Sequence, residues 1–404
     1  MNCFLKYKKI NLAIYYYSLK DGGAQRLTAL LVNNLSKTYL VNIYLFINKN
    51  VNNEYKINNN IKRILINGTQ NLIREIRYNK IDIIIYQFYN PIEIEILNKL
   101  NSVKTILYIH SCFLTWIYLH KYNFIRALYS SFKDSKYIIS LIPFENDYLF
   151  PKWGINSILL NNFITYDYDN IIPSDLSSKI ILMLGRGEDR RKRFYLGIIA
   201  MKYIIQEMPD AEMIIISKPS MYLKNLTKEL KLENNIKFVG YTSKPEIYFK
   251  NASLHILPSS TESFGLSLCE TKIYGIPNIL TGIDYISPAK GGVINIYNDD
   301  PKTIAEEAIK ILKYKEYRQY LGKEARKSMK FFKNEYTTRA WIKLILSISK
   351  GKNYYDILRK KRKKISKTKA LIIIKKQIEL LKKREPKFKN ITVDKIINIL
   401  KKDT

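Results

Sequence analysis

The chain has 404 residues and a hydrophobic content of 47%, enough to bury substantial cores in two or three domains. Its three cysteines, Cys3, Cys112 and Cys269, show neither metal-ligand nor redox spacing, which favours a reducing compartment, the cytoplasm. The net charge of +33 suggests an anionic partner, but no helix-turn-helix, zinc-finger or aromatic RNA-binding pattern is present, so no specific nucleic acid is expected.

The N-terminal half alternates β-rich runs with helix-length segments. The runs lie at 10–17, 41–47, 81–88, 104–110 and 136–142. The first run is too short to span a bilayer and has no small-residue cleavage site, so we interpret it as a strand. Nearly continuous apolar strands separated by helices predict a parallel sheet that is covered on both faces.

The alternation restarts near residue 180, after a polar stretch that we interpret as an interdomain linker. Strands are predicted at 179–185, 211–217, 235–240 and 253–258, with helices near 194–208 and 220–231. The sequence therefore predicts an α/β protein with two doubly wound parallel-sheet domains, at 1–168 and 169–335, that face a cleft. Ligands are expected at the carboxyl ends of the strands.

The rest of the chain is predicted to be helical. A helix at 336–350, which contains Trp341, is expected to pack back on the first domain. The segment 351–404 has 19 lysines and arginines against 5 acidic residues, and it predicts a basic helical tail with an amphipathic helix at 371–381. Two interpretations of this tail stay open: peripheral attachment to an anionic membrane, or a solvated extension or helix packed on the body.

The most informative motif is SLHILPSSTESFGLSLCETKIYGIPNI at 253–279. It predicts a strand, a polar loop that contains Glu262, and a helix that begins near Phe264 and contains Glu270. A helix N-terminus where Gly265 permits close backbone approach is a suitable anion site. Carboxylates that accept sugar or ribose hydroxyls, beside amides that bind phosphate, are typical of a nucleotide-sugar pocket.

Two further loops follow predicted strands. Gly22 and Gly23 permit a tight turn before a helix from about Ala24. This turn either lies close to a donor phosphate or an acceptor, or is an ordinary glycine turn. In LGRGEDRRKRF, Arg186 and Lys192 could converge on a diphosphate. The alternative is a solvated charge run, and Arg190, Arg191 and Arg193 are interpreted as solvated neighbours. The third glycine of a dinucleotide fingerprint is missing.

His110 ends a buried strand at the expected ligand edge, where it is either functional or a packed strand-end histidine. The match Asp167-Tyr168-Asp169 lies in the predicted linker, so no metal site is expected there. The sequence has no histidine and cysteine cluster for zinc and no G-x-S-x-G nucleophile motif.

Together these motifs resemble the retaining glycosyltransferases of family 4, which have the GT-B fold. The resemblance covers about residues 9–349, and SSTESFGLSLCETKIYGIP is similar to the family pattern E-x-FG-x4-E-x4-G-x-P. GGAQR, GRGEDRRKRF, FVGYTSKPEIY and the Trp341 helix occur in the family's order. KRFYLGIIAM and ETKIYGIP resemble bacterial capsule and lipopolysaccharide sugar transferases.

The resemblance implies a role for each matching residue. The catalytic candidates are Glu262, Arg186, Lys192 and His110: Arg186 and Lys192 would neutralise the diphosphate, and His110 would contact the sugar. Glu262 would engage the donor sugar and diphosphate, together with the donor-contact residues Ser263, Phe264, Gly265 and Leu266. Gly22 and Gly23 would approach the diphosphate, Gly240 and Tyr241 would frame the base, and Glu270 would hold the ribose hydroxyls. Arg191 could replace Lys192. Arg193 departs from the pattern, because many members have glycine after the lysine.

The implied activity is transfer of a sugar from a UDP- or GDP-sugar to a glycan or lipid-linked acceptor in surface polysaccharide biosynthesis, with no metal and no resident cofactor. Three alternatives stay open: an epimerase or phosphorylase on the same fold, a basic nucleic-acid-binding protein, and a catalytically silent binding module. The implied location is the cytoplasm, with peripheral contact on the cytoplasmic face of the membrane through the basic tail.

Overall fold

The computed structural model describes residues 9–20, 22–52, 54–120, 122–351 and 364–400. They form two compact units. The first unit comprises Met1–Phe163, Asn334–Ile372 and Thr392–Thr404, and the second comprises Ile164–Lys333 and Ile373–Ile391. Within the described residues, no helix is both long enough and apolar enough to cross a membrane.

The first unit is built on a seven-stranded parallel sheet with the strand order β3-β2-β1-β4-β5-β6-β7. Its strands are β1 (Ile10–Tyr16), β2 (Val41–Ile47), β3 (Lys62–Leu65), β4 (Ile83–Tyr86), β5 (Lys104–Tyr108), β6 (Tyr137–Ser140) and β7 (Ile158–Leu159). All four residues of β4 are buried, as expected for a strand covered on both faces.

The helices of the first unit cover this sheet. They are α1 (Gly23–Leu35), α2 (Gly68–Tyr78), α3 (Pro91–Lys99), α4 (Phe113–Leu119), α5 (Tyr122–Lys133), a π-helical turn (Glu145–Leu149) that continues into α6 (Phe150–Lys152), α13 (Asn334–Ser349) and α15 (Val393–Ile397). In α13, the buried Trp341 ring packs edge-on against Tyr108. Lys104 donates to the carbonyl of Ile348 at 2.7 Å, near the end of the same helix.

The second unit has a six-stranded parallel sheet with the order β10-β9-β8-β11-β12-β13. Its strands are β8 (Ile180–Leu184), β9 (Glu212–Ile216), β10 (Ile236–Phe238), β11 (Leu254–Leu257), β12 (Asn278–Thr281) and β13 (Val293–Ile296). Its helices are α7 (Phe194–Glu207), α8 (Met221–Glu229), α9 (Glu246–Phe249), α10 (Leu266–Ile273), α11 (Pro301–Lys313) and α12 (Lys315–Met329), with 3-10 turns at Arg190–Lys192, Lys330–Phe332 and Pro386–Phe388.

These two sheets confirm the predicted α/β fold class, but several strands and the position of the linker differ from the prediction. The prediction missed β3, an edge strand with mostly exposed side chains, and the two-residue β7, because neither has a long apolar run. It also missed β12 and β13. The polar stretch predicted as a linker belongs to the second unit, where Ser174 donates to the carbonyl of Ala252 at 2.8 Å.

The basic tail is structured where it is described. Helix α14 (Lys367–Arg384) is longer than the predicted 371–381 segment, and its residues from Ile373 onwards belong to the second unit. Ile374, Ile378 and Leu381 recur at helical spacing and are buried. The described part therefore matches the packed-helix interpretation, whereas the predicted tail at 352–363 and 401–404 lies outside the described residues.

Candidate functional site

In the second unit, two loops meet at the carboxyl ends of adjacent strands. One follows β8 and runs from Gly185 to the 3-10 turn, and the other follows β11 and runs from Pro258 to Gly265. Because β8 and β11 are neighbours in the sheet, the two loops emerge side by side. The amide of Ser260 donates to the carbonyl of Arg191 at 2.7 Å and joins them directly.

An ion pair connects the same loops. Lys192 Nζ lies 2.5 Å from Glu262 Oε1, and the Ser259 hydroxyl donates to that oxygen at 2.8 Å. The amide of Glu262 donates to the Tyr285 hydroxyl oxygen at 3.0 Å. The side chains of Lys192 and Glu262 are 22% and 12% exposed, so solvent still reaches the pair, while the bonds to Ser259 and Tyr285 fix Glu262.

The basic residues around Lys192 take different roles. The Arg191 guanidinium donates to Asp189 at 2.6 Å, so its fork is engaged within its own turn. Burial alone would raise the pKa of Asp189, but the hydrogen bonds and charge of Arg191 hold that pKa below its usual range. Arg190 is exposed, in agreement with its interpretation as a solvated neighbour.

Arg193 was wrongly interpreted as a solvated neighbour. Its side chain is only 5% exposed, it pairs with Asp299 at 2.7 Å, and it donates to the carbonyl of Pro258 at 2.8 Å. Its backbone has φ of +47°, a left-handed conformation that an arginine rarely adopts. The sequence pattern does not reveal that Arg193 is buried, because its acceptors lie in the loops after β11 and β13, far along the chain.

Arg186 lies exposed on the loop after β8. The shape of this loop is fixed by Gly187, whose amide donates to the Ser217 hydroxyl at 2.6 Å. A Cβ atom at position 187 would lie 2.7 Å from that oxygen, so a side chain there would collide. Any larger residue at position 187 would therefore force the loop or Ser217, which directly follows β9, to shift.

The helix after the Glu262 loop begins two residues later than predicted, at Leu266. Gly265 has φ of +75° and precedes the helix without a side-chain cap, while Phe264 is buried. The amides of the first turn of a helix have no partner within the helix and favour anions. Ser263 lies in the loop before this turn and Leu266 is the first residue of the helix, and their contacts with a donor stay a prediction.

Glu270 is buried in α10, with 4% of its surface exposed. The Thr165 hydroxyl donates to Glu270 Oε1 at 2.7 Å and fixes the carboxylate. Sequence analysis missed Thr165, which lies more than a hundred positions earlier. Gly240 and Tyr241 follow β10, the edge strand of the same sheet; Gly240 has φ of +74° and Tyr241 is 65% exposed.

In the first unit, His110 follows β5 and is held by residues from the end of β4. Its Nε2 lies 2.6 Å from Gln87 Oε1, and its amide donates to the Tyr89 hydroxyl at 2.7 Å. Burial lowers the pKa of His110 to about 3, so the ring is neutral at neutral pH. With Nε2 donating to Gln87, the lone pair is on Nδ1. Among the described residues Nδ1 is buried without a partner.

Gln87 and Tyr89 escaped the sequence analysis, although their position directly after the buried strand β4 is a usable signal. Gly22 has φ of +114° and precedes α1, and Gly23 is the first residue of that helix. Of the three predicted residues of this unit, His110 therefore lies just beyond the end of β5, whereas Gly22 and Gly23 lie at the start of the helix that follows β1.

The Asp167 and Asp169 carboxylates each have a side-chain partner. Asp169 pairs with Lys333 at 2.7 Å, and Asp167 accepts from the side chain of Asn170 at 2.8 Å. Over the described ranges, no group of three or more His, Cys, Asp or Glu residues has an arrangement that could hold a metal ion.

Comparison with solved structures settles the architecture. Sucrose-phosphate synthase from Thermosynechococcus elongatus superposes with a TM-score of 0.73 over 85% of this chain and 100% of that chain, at 14% identity. Anabaena HepE in complex with UDP and glucose gives 0.67 over 83% and 99%, also at 14% identity. The fold is GT-B.

Sequence comparison addresses the second GT-B unit. Residues 167–328 match the family model of glycosyl transferases group 1. The poly(glycerol-phosphate) alpha-glucosyltransferase of Bacillus subtilis is 28% identical over 137 residues, which are 32% of this chain and 20% of that protein. The curated relatives are matched over 17% to 48% of their own length. The family model and the Bacillus subtilis relative make the chain similar to glycosyl transferases.

Proposed function

We propose that this protein is a retaining glycosyltransferase of family 4 that moves a sugar from a UDP- or GDP-sugar to a glycan or lipid-linked acceptor in surface polysaccharide biosynthesis. The observation that carries the proposal is the Lys192–Glu262 pair, held at 2.5 Å beside the N-terminus of α10 on a GT-B unit. The match of residues 167–328 to group 1 glycosyl transferases supports it.

The chemistry follows from the charge that develops during transfer. Breaking the bond between the sugar and the diphosphate leaves negative charge on a phosphate oxygen. Fixed cations and helix amides aimed at that oxygen lower the barrier by several kcal/mol. In the proposal, Lys192 and Arg186 supply the cations and the Gly265–Leu266 turn supplies the amides, so no metal is required. Arg191 is the weaker candidate because Asp189 already binds its guanidinium.

Glu262 has two roles in this scheme. It accepts a hydrogen bond from a hydroxyl of the donor sugar, and its ion pair holds the Lys192 ammonium in place beside the loop. Glu270 accepts hydrogen bonds from the ribose hydroxyls, because its carboxylate is fixed by the Thr165 hydroxyl. Gly240 and Tyr241 contact the base, while Gly22, Gly23 and His110 contact the diphosphate and sugar. The departing phosphate takes the proton of the acceptor, so no protein nucleophile is assigned.

A thermal-shift panel of nucleotides and nucleotide sugars tests the proposal, followed by mass spectrometry of products with and without glycan acceptors. We expect stabilisation by one nucleoside diphosphate and acceptor-dependent transfer. Glu270→Ala should weaken nucleotide binding, and Arg186→Ala should mainly slow transfer. Conversion of the donor without an acceptor would favour an epimerase, and wild-type behaviour of both variants would contradict the site assignment.

We also propose peripheral contact of the tail with an anionic membrane on the cytoplasmic face, where a lipid-linked acceptor would be found. Lys367, Lys369 and Lys375 are exposed on α14 and supply the charge. Because α14 contributes to the second unit, substitution is a cleaner test than truncation. Replacing the three lysines with glutamine should reduce co-sedimentation with liposomes that contain phosphatidylserine, and unchanged binding would eliminate this role.

A further inference from the structure

Helix α14 of the basic tail ends inside the second unit, at the loops of the candidate site. Its last residue, Arg384, is the one arginine among the basic residues of that helix, and the side chain of Arg384 is only 5% exposed. The neighbouring Lys383 is exposed. A basic helix that buries its single arginine, and exposes the lysine before it, uses that arginine for a specific contact rather than for general charge.

The partner of Arg384 is Asp299, which follows β13. Arg384 Nε lies 2.6 Å from Asp299 Oδ2, and its Nη2 lies 2.9 Å from Oδ1, a two-pronged arrangement that fixes both groups. Asp299 also pairs with Arg193 at 2.7 Å. Burial alone would raise the pKa of Asp299, but hydrogen bonds from Arg384 and Arg193 keep it below its usual range.

The same guanidinium contacts the candidate loop directly. Arg384 donates to the carbonyl of Ser260 at 2.9 Å and to the carbonyl of Thr281 at 3.0 Å. On the other side of Asp299, Arg193 donates to the carbonyl of Pro258 at 2.8 Å. The two arginines therefore bind the backbone of the loop that carries Glu262 at two points, and Arg193 directly follows Lys192.

Backbone strain marks the same network. Arg193 and Asp299 have φ values of +47° and +55°, in the region that favours glycine. Such conformations persist where the surrounding contacts over-determine them. The helix is also closely packed against this region, because Gln377 donates to the carbonyl of Gly282 at 2.5 Å and a Cβ atom at Gly282 would lie 2.4 Å from Leu380.

We propose that Arg384, at the end of α14, is a positioning residue, which acts through Asp299 and Arg193 to hold the Pro258–Glu262 loop and Lys192 in the arrangement that binds the donor diphosphate. This inference rests on the proposed function. It makes α14 part of the donor-binding unit, in addition to any membrane contact of its exposed lysines.

Hydrogen exchange tests the structural half of the inference without any ligand. Arg384→Ala should increase exchange in peptides that cover 258–262, whereas the matched control Lys383→Ala should leave them unchanged. Arg384→Lys keeps the charge but loses the two-pronged contact with Asp299, so it should also increase exchange in these peptides. This second variant controls for a general folding defect in Arg384→Ala. Wild-type exchange at 258–262 in both Arg384 variants would overturn the proposal.

A double-mutant cycle tests the functional half, with the nucleoside diphosphate that gives the largest thermal shift as the probe. Arg384→Ala should raise its Kd about tenfold in the wild-type background, within the range for residues that act through others. In a Lys192→Met background the same change should have less than about a twofold effect, because the positioned group is already absent. Equal effects in both backgrounds would indicate general destabilisation and would refute the proposal.

The two proposals fail in different ways. If the wild-type protein binds no nucleotide at all, the proposed function is wrong, and the diphosphate role of Arg384 is wrong with it, whatever the exchange data show. If the wild-type protein binds a nucleotide but Arg384→Ala binds it equally well, the proposed function stands and only the positioning role of Arg384 is refuted.

Discussion

Replacing Glu270 with glutamine separates ribose recognition from the other contributions to nucleotide binding. The glutamine has nearly the same shape and can still accept from the Thr165 hydroxyl, which lies 2.7 Å from Glu270 Oε1. It loses the negative charge and one acceptor oxygen. Because the side chain is 4% exposed, water cannot replace the lost acceptor.

The magnitude follows from the type of bond that is lost. A hydrogen bond to a charged group contributes about 1.5–3 kcal/mol, which corresponds to an increase in Kd of roughly 10- to 150-fold. Glu270→Ala should weaken nucleotide binding more than Glu270→Gln, since alanine also leaves a cavity beside α10. Most of the lost binding free energy should come from the ribose contacts and not from the diphosphate contacts.

Isothermal titration with a ribonucleotide and its 2′- and 3′-deoxy analogues measures this directly. Wild-type protein should prefer the ribonucleotide, and in Glu270→Gln this preference should largely disappear. The control is Glu229→Gln, an exposed glutamate of α8 whose replacement changes the net charge by the same amount. An unchanged preference for ribose in Glu270→Gln would refute the assigned role.

Three further predictions concern catalysis, stability and pH. Lys192→Met should lower kcat by about 100- to 1000-fold, as for removal of a fixed donor from a developing oxyanion, whereas the exposed Arg190→Ala should be nearly neutral; comparable losses in both would contradict the charge-stabilising role. Gly187→Ala should lower the free energy of unfolding by about 1–3 kcal/mol in urea titration, because its Cβ atom would lie 2.7 Å from Ser217 Oγ, and an unchanged midpoint would disprove the packing argument. Burial raises the pKa of Glu145 to about 8, so the folded state keeps a proton that the unfolded state releases from pH 4.5 upwards. This difference in proton binding contributes fully to the free energy of unfolding below pH 4.5, and the contribution decreases by up to about 5 kcal/mol as the pH rises to 8. Glu145→Gln, which can still accept from the Phe113 amide, should flatten this part of the stability profile, and parallel profiles would show that Glu145 is ionised in the folded protein.

Much of the fold could be read from the sequence because parallel strands that are buried on both faces need continuous apolar runs. The strands β1, β2, β4 and β5 carry this signal, and each was predicted close to its observed position. Strands such as β3 and β7 carry none, because one is exposed at the edge and the other has two residues. Their pairing depends on the neighbouring strand, which local sequence does not specify.

The candidate site divides in the same way. Glu262, Gly265 and Glu270 could be predicted together because the strand, loop and helix that carry them are consecutive in the chain. The roles of the charges could not be. Arg193 resembles its solvated neighbours in sequence, yet it is buried against Asp299, and Arg384 resembles the rest of a basic tail.

Apolar runs in the sequence are enough to predict two parallel sheets and most of their strands, together with the polar loops at the carboxyl ends of those strands. Contacts between distant parts of the chain, in contrast, set which charges are paired and which face solvent. Burial of a charge is stable only when a partner with suitable geometry is present, and here Asp299, the partner of both Arg193 and Arg384, lies far from each of them in the chain. The contribution of α14 to the Glu262 loop is therefore a property of the folded chain, and no local pattern in the sequence encodes it.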